Sequence, residues 1–330
     1  MGSRTVEVRD EVELTNLDQP LFDDAGATKR DLVDYLDAVH DRMLPGLAQR
    51  PLSVVRIRPG QPPFMQKNLP GYTPAWLNRT TVWAAASHRE ISYALCDDRR
   101  TLLWFANQRA VEYHPTLTRG PEKQLSWLVL DLDPPESTVD ASWSKDGSVV
   151  RTARLVEQAL ADAGLAGSVK TSGAKGLHIF VPLAPGTDAE DAAAATRALA
   201  VRAERLDPQV ATTAYIKDDR GGKVFVDSTR SGGATVVAAY SPRVRPNVTV
   251  SFPVAWRDLD DVRPAQFTIR TVPSMLGAPD PWVTEMPAVQ ELPADLVAEG
   301  HTIPVARVAA MHEGKRRKRN AAAARGEDQP

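Results

Sequence analysis

Two aspartates separated by one residue close an apolar run, Trp127-Leu-Val-Leu-Asp-Leu-Asp133, and a proline pair, Pro134-Pro135, stops it. In an extended chain, side chains at i and i+2 leave on the same face, so Asp131 and Asp133 form one carboxylate pair at the mouth of a strand. Mg²⁺ and Mn²⁺ prefer oxygen pairs of this kind. A third acid, Asp227, ends a second strand-like run, Lys223-Val-Phe-Val-Asp227, in which Lys223, Phe225 and Asp227 alternate onto one side. Three carboxylates at two strand ends suggest a two-metal site. A D-x-D alone is a weak signal, because aspartates also cap turns after strands. Here nothing from Trp127 to Leu130 is polar, and negative charge emerging from a buried strand is costly without a cation.

The segment Lys170-Thr-Ser-Gly-Ala-Lys-Gly-Leu-His178 is a small-residue turn that leads into Ile179-Phe180-Val181. Glycines let backbone N–H groups approach an anion, and Ser172, Lys175 and His178 add hydroxyl, ammonium and imidazole donors. The spacing is not that of a Walker A loop, and the segment reads equally well as a hairpin-type turn with a solvated lysine. Roughly, two divalent cations carry +4, a nucleoside triphosphate −4 and three aspartates −3, so such a site needs further cations. Lys175, His178, Lys217, Arg220, Lys223 and Arg243 are available, although ordinary surface charge accounts for many such residues.

These groups must be positioned by a core, and 330 residues of which 42% are hydrophobic can build one. Thr28 and Asp31 form a capping-box pattern, followed by Leu32, Leu36, Val39 and Met43 at helical spacing up to Pro45. A second helix is expected from Val149 to Ala163, with Gly164 as its stop, and a third from Ala189 to Leu206. Strands are expected at 52–58, 91–95, 169–171, 177–183, 223–227 and 234–240, and an irregular loop from Gly60 to Pro74. Strands and helices mix without a regular βαβ alternation, which favours an α+β fold. Residues 1–312 are expected to form a single domain of two intimately packed subdomains, and the basic tail 313–330 to be disordered.

One cysteine, Cys96, excludes an intrachain disulfide framework and a four-cysteine zinc site, and no apolar run of about 18 residues would span a membrane. A cytoplasmic protein without membrane partners is the expectation. A net charge of −2 argues against a uniformly cationic nucleic-acid binder but allows a local basic groove. Arg56 and Arg58 share a strand face that either lines such a groove or is simply solvated.

Val129-Leu-Asp-Leu-Asp-Pro134, Thr171-Ser-Gly-Ala-Lys-Gly-Leu-His178 with Val181-Pro-Leu183, and Val224-Phe-Val-Asp227 resemble the three catalytic motifs of the polymerase domain of bacterial DNA ligase D, a branch of the archaeo-eukaryotic primase superfamily. Thr28-Lys29, Phe64-Met-Gln-Lys67, Trp104-Phe-Ala-Asn-Gln108, Glu112-Tyr-His114 and Ala239-Tyr-Ser-Pro-Arg243 extend the resemblance in order over roughly residues 10–270. It implies a primase-like fold: a mainly antiparallel, RRM-like catalytic sheet packed with an N-terminal α/β portion, and an active site in the cleft between them. It also implies that Asp131, Asp133 and Asp227 bind two Mn²⁺ or Mg²⁺ ions, and that His114, Ser172, Lys175 and Arg243 contact the nucleotide, with His178 nearby.

The resemblance further implies template-directed gap filling and end extension in non-homologous end joining or related excision repair. Ribonucleotides would be favoured, on DNA with gaps or broken ends that carry a downstream 5′-phosphate. A separate ATP-dependent ligase and Ku would be partners. Lys29 matches a phosphate-binding lysine of the family, while Gln19 stands where the family usually has lysine, leaving 5′-phosphate anchoring weaker or shared with Lys67 or Arg30. Phe64 matches an aromatic near the templating base, and Met65 replaces its aromatic neighbour. Arg220 is taken with these DNA-side residues. Two rivals remain at this point, a Mn²⁺-dependent D-x-D glycosyltransferase and a non-catalytic DNA end-bridging protein.

Overall fold

The computed structural model describes residues 7–84, 88–135, 143, 147–231 and 234–305. The chain opens on a ribbon of β1 (Glu7–Arg9) and β2 (Val12–Leu14), followed by helix α1 (Lys29–Leu47). The capping box is present: Asp31 N–H donates to Thr28 Oγ1, and the Asp31 carboxylate accepts from Thr28 N–H. Leu32, Leu36, Val39 and Met43 are buried along one stripe. The helix runs through Pro45 to Leu47, because in the last turn a proline removes only one bond.

The first sheet contains β3 (Leu52–Arg56), β4 (Phe64–Gln66), β5 (Arg79–Ala84), β6 (Arg89–Ala94) and β7 (Ala110–Pro115). Its order is β4-β3-β6-β5, with β7 also pairing with β3. Strand β4 lies inside the segment expected to be an irregular loop, held by its pairing with β3. Helix α2 (Arg99–Asn107) precedes β7 and packs on α1; Asp98 caps it by accepting from Thr101 N–H. A ribbon of β8 (Thr118–Arg119) and β9 (Gln124–Leu125) leads to the second sheet.

That sheet contains β10 (Trp127–Asp133), β11 (Ser168–Thr171), β12 (Leu177–Pro182), β13 (Ala211–Thr212), β14 (Val224–Asp227) and β15 (Pro253–Val254). Its order is β13-β14-β10-β12-β11-β15, antiparallel except for β13–β14. Helices α3 (Ser148–Asp162) and α4 (Ala189–Leu206) pack on β10 and on each other, and α5 (Ala294–Thr302) packs on α4. Gly164, at φ +69°, follows the end of α3 as expected.

Residues 234–240 are not a strand. The segment lies beside β7 with two hydrogen bonds, Val236 N–H to Pro115 O (3.3 Å) and Ala238 N–H to Tyr113 O (2.9 Å), and turns away at Tyr240 (φ 65°). It therefore stitches the first sheet to the chain entering the second. Buried side chains of both sheets form one continuous core. The architecture is α+β with mainly antiparallel sheets. The tail 313–330 lies outside the described residues, and no helix among the described residues is long and apolar enough to cross a membrane.

Candidate active site

Antiparallel register sets Asp131 opposite Asp227 of β14 on one side and opposite His178 of β12 on the other, and sets His178 opposite Lys170 of β11. Directly opposed residues share a sheet face, so Asp227, Asp131, His178 and Lys170 form one transverse row across four strands. Asp133 stands on the same face, two residues beyond Asp131. Leu128, Leu130 and Leu132, fully buried, point the other way.

Each acid has cationic partners. Asp131 Oδ2 accepts from Arg230 Nε (3.1 Å) and Nη2 (2.9 Å), and its Oδ1 lies 3.4 Å from His178 Nε2. Arg230 Nε also lies 3.3 Å from Asp227 Oδ2, while Asp227 Oδ1 accepts from Thr229 N–H and Oγ1. Asp133 contacts Lys175 Nζ at 3.1 Å and Arg220 Nη1 at 3.4 Å. Burial alone would raise the Asp131 pKa; the Arg230 guanidinium, with the donor of the neutral His178 ring, outweighs it and holds this carboxyl well below the usual range. Burial, then Lys170, pushes His178 down to about 4, so its imidazole is neutral at physiological pH. A cavity of about 190 Å³ opens beside Asp133, lined by Lys175, Lys217, Arg220 and Lys223.

The Ser172 turn docks tightly on this face. Ser172 Oγ accepts from Ala174 and Gly176 N–H, closing the turn on itself. A Cβ on Gly176 would meet Leu132 O at 1.9 Å, and Gly173, at φ +68°, lies against Arg243 and Ser251. Arg243 donates to Ser172 O, and its Nε lies 3.2 Å from Glu112 Oε1. Glu112 also accepts from Val244 N–H (2.9 Å), and its Oε2 lies 2.8 Å from His114 Nε2. The structure thus gathers Asp131, Asp133, Asp227, Ser172, Lys175, His178 and Arg220 on one face, with Arg243, Glu112 and His114 beside them. Arg230 and Glu112 were missing from the expected set. Charge counting called for more cations near the acids, and Arg230 lies only three residues past Asp227.

Of the residues expected on the DNA side, Arg220 sits instead at Asp133, and the others lie apart from the acids. Lys29 is buried, with Nζ on Thr15 O and Asn107 Oδ1; burial, then Arg109, lowers its pKa to about 8. Arg109 donates to Gln19 Oε1 (3.1 Å) and to Pro20 O and Leu21 O, and its buried Nε has no partner. Gln19 and Lys67 are exposed, and Arg30 is engaged by Glu7 at 2.7 Å. The Phe64 ring lies under Arg58 at 4.7 Å, and Met65 is 46% exposed. Arg56 is buried and bonds Gln108 O, Gln66 and Tyr72, so it braces the first sheet and does not line a groove.

Three carboxylates are a hard-oxygen donor set, and the Arg230 guanidinium already bridges two of them as a positive charge. Among the described residues no three acidic, histidine or cysteine side chains converge as a ready-made metal cage. The donor chemistry fits divalent cations, provided that Arg230, Lys175 and Arg220 withdraw from the acids.

A family model described as the LigD primase-polymerase domain matches residues 28–282. A multifunctional non-homologous end joining DNA repair protein LigD of Mycobacterium tuberculosis is 38% identical over 267 residues, covering 76% of this chain and 34% of that protein. A bifunctional non-homologous end joining protein LigD of Bacillus subtilis is 31% identical over 272 residues, covering 80% of this chain and 42% of that protein. The solved structure of the polymerase domain of M. tuberculosis ligase D in complex with DNA superposes with a TM-score of 0.74 at 34% identity, covering 82% of this chain and 95% of that one. The chain therefore spans roughly a third to two fifths of the length of these curated relatives and nearly all of the solved domain. None of these matches is to a glycosyltransferase. With the family model covering most of the residues, this chain belongs to the LigD primase-polymerase domain family.

Proposed function

We propose that this chain catalyses template-directed nucleotidyl transfer, filling short gaps and extending broken DNA ends in non-homologous end joining or related excision repair. The observation that carries this reading is the meeting of Asp227 and Asp131 in register, with Asp133 on the same face and the Ser172–Lys175 turn docked beside them. Two Mn²⁺ or Mg²⁺ ions held by Asp131, Asp133 and Asp227 would activate a primer 3′-hydroxyl and neutralise the triphosphate. The chain's own contribution is positioning. Ser172, Lys175 and Arg243 hold the phosphates of an incoming nucleotide, ribonucleotides preferred. His114, oriented by Glu112, contacts the same nucleotide, and His178 steadies Asp131 from within the sheet.

Lys29 and Arg109 support recognition of a downstream 5′-phosphate. The hydrogen-bond partners of these two cations are neutral oxygens. Arg109 lines a cavity of about 650 Å³ with Gln19 and Arg58. A doubly charged phosphate would give both cations a counter-charge, with Arg109 making up for the neutral Gln19. Phe64, Met65, Lys67 and Arg220 are assigned to the template and primer side. An ATP-dependent ligase activity and Ku complete the proposed repair reaction.

Extension of a gapped duplex, with and without the 5′-phosphate, in Mn²⁺ and in Mg²⁺, tests the reading. Asp131→Ala is expected to lower extension by about a thousandfold or more while leaving DNA affinity, read by fluorescence anisotropy, within about threefold. Parental extension by this variant would sink the assignment.

A further inference from the structure

We propose that Lys170 is a positioning residue of the nucleotidyl-transfer site: it fixes His178 as the Nε2–H tautomer and so aims that N–H at Asp131. The proposal rests on the reading of Asp131, Asp133 and Asp227 as the catalytic acids. Lys170 is fully buried, at the inner end of the row Asp227–Asp131–His178–Lys170. Its Nζ lies 2.8 Å from His178 Nδ1 and 2.7 Å from Ser251 Oγ, and 5.4 Å from the centre of the Phe180 ring. No carboxylate pairs with it among the described residues. A lysine enclosed in this way destabilises the fold relative to an apolar side chain of the same length, so its presence calls for another explanation.

Hydrogen-bond accounting supplies one. Ser251 Oγ donates its only hydrogen to Thr171 O at 2.7 Å, so towards Lys170 it can only accept. Lys170 is therefore the donor in that contact. An ammonium has no lone pair with which to accept, so the ring nitrogen that Lys170 Nζ meets at 2.8 Å, His178 Nδ1, is the bare one. The N–H of the ring is then Nε2, which faces Asp131 Oδ1 at 3.4 Å. Donors thus run from Lys170 to His178 to Asp131. Oδ2 of the same aspartate is held by Arg230, whose side chain is 38% exposed against 7% for His178. When Arg230 withdraws, the inner hold remains and keeps the Asp131 carboxylate in its plane. This is how an outer-shell donor commonly orients a ligating group.

The test combines two measurements on the full chain. ¹⁵N NMR of the metal-free protein, with His178 assigned by its absence in His178→Asn, is expected to show a protonated Nε2 and a bare Nδ1. A protonated Nδ1 overturns the proposal whether or not any variant folds. Lys170→Met is expected to melt no lower than the parent, to lose the single tautomer, and to lower kcat by about tenfold or more with little change in nucleotide KM. A Lys170→Met protein that extends primers at the parental rate, or keeps the tautomer, also overturns it. Failure of the catalytic-acid reading is separately visible, because Asp131→Ala would then still extend primers while the NMR result stood.

Discussion

Arg230 shows how one side chain can settle the state of a site. Asp131 and Asp227 face each other across a strand pair, and two carboxylates so placed repel unless a positive charge lies between them. Arg230 is that charge: burial alone would lower its pKa, but Asp131 and Asp227 raise it. Removing it by Arg230→Gln is expected to destabilise the metal-free protein by about 1–2 kcal/mol, a figure discounted for the side chain's partial exposure. Added Mn²⁺ should then raise the melting temperature of the variant more than that of the parent. Equal Mn²⁺ shifts in the two proteins would show that Arg230 is not the resting counter-charge of the acids.

At the level of elements, the acidic face depends on how closely the Ser172 turn approaches β10. Gly176 sits where any Cβ would collide with Leu132 O, a backbone atom that cannot rotate away. Gly176→Ala is therefore expected to lift the turn, lowering stability by about 2 kcal/mol and raising nucleotide KM by about tenfold or more. Urea unfolding and steady-state extension measure the two effects, and a variant with parental KM would exclude the turn from nucleotide binding. Much of this level was legible in the sequence. The apolar stripe and caps of α1, α3 and α4 gave those helices within a few residues, and alternation along β10 and β14 put the three acids on strand faces. Helix α2 was hidden because it is short and opens with Arg99-Arg100-Thr101; Asp98 was its only cue. Residues 234–240 have strand-like composition, but only alternate backbone groups meet β7. Several contacts of Arg230, Glu112 and Lys170 join segments far apart in sequence, Asp131 to Arg230, Glu112 to Val244 and Lys170 to Ser251, which no single segment encodes.

Across the whole molecule, Glu112 ties the two sheets together. It belongs to β7 of the first sheet, accepts from Val244 N–H and pairs with Arg243, which reaches Ser172 O in the turn between β11 and β12 of the second sheet. Burial alone would raise its pKa; His114, Arg243 and the Val244 N–H outweigh this and hold it at about 2, against an ordinary value of 4.5. A depressed carboxyl contributes stability that is whole above its unfolded pKa and is lost as pH falls towards the folded value. The contribution here is on the order of 2–3 kcal/mol. The urea midpoint of the parent should therefore fall between about pH 5 and pH 3 more steeply than that of Glu112→Gln. Parallel curves would remove Glu112 from the tie.

The same seam bears on how the molecule moves. The run from 234 to 240 is fastened to the first sheet by two amide hydrogens, and its far end turns at Tyr240 straight into Ser241 and Arg243. A ligand that grasps Arg243 therefore pulls on the thread that sews the halves together. On this geometry, a load placed on Arg243 would be passed through Tyr240 to the pair of amides seated on β7.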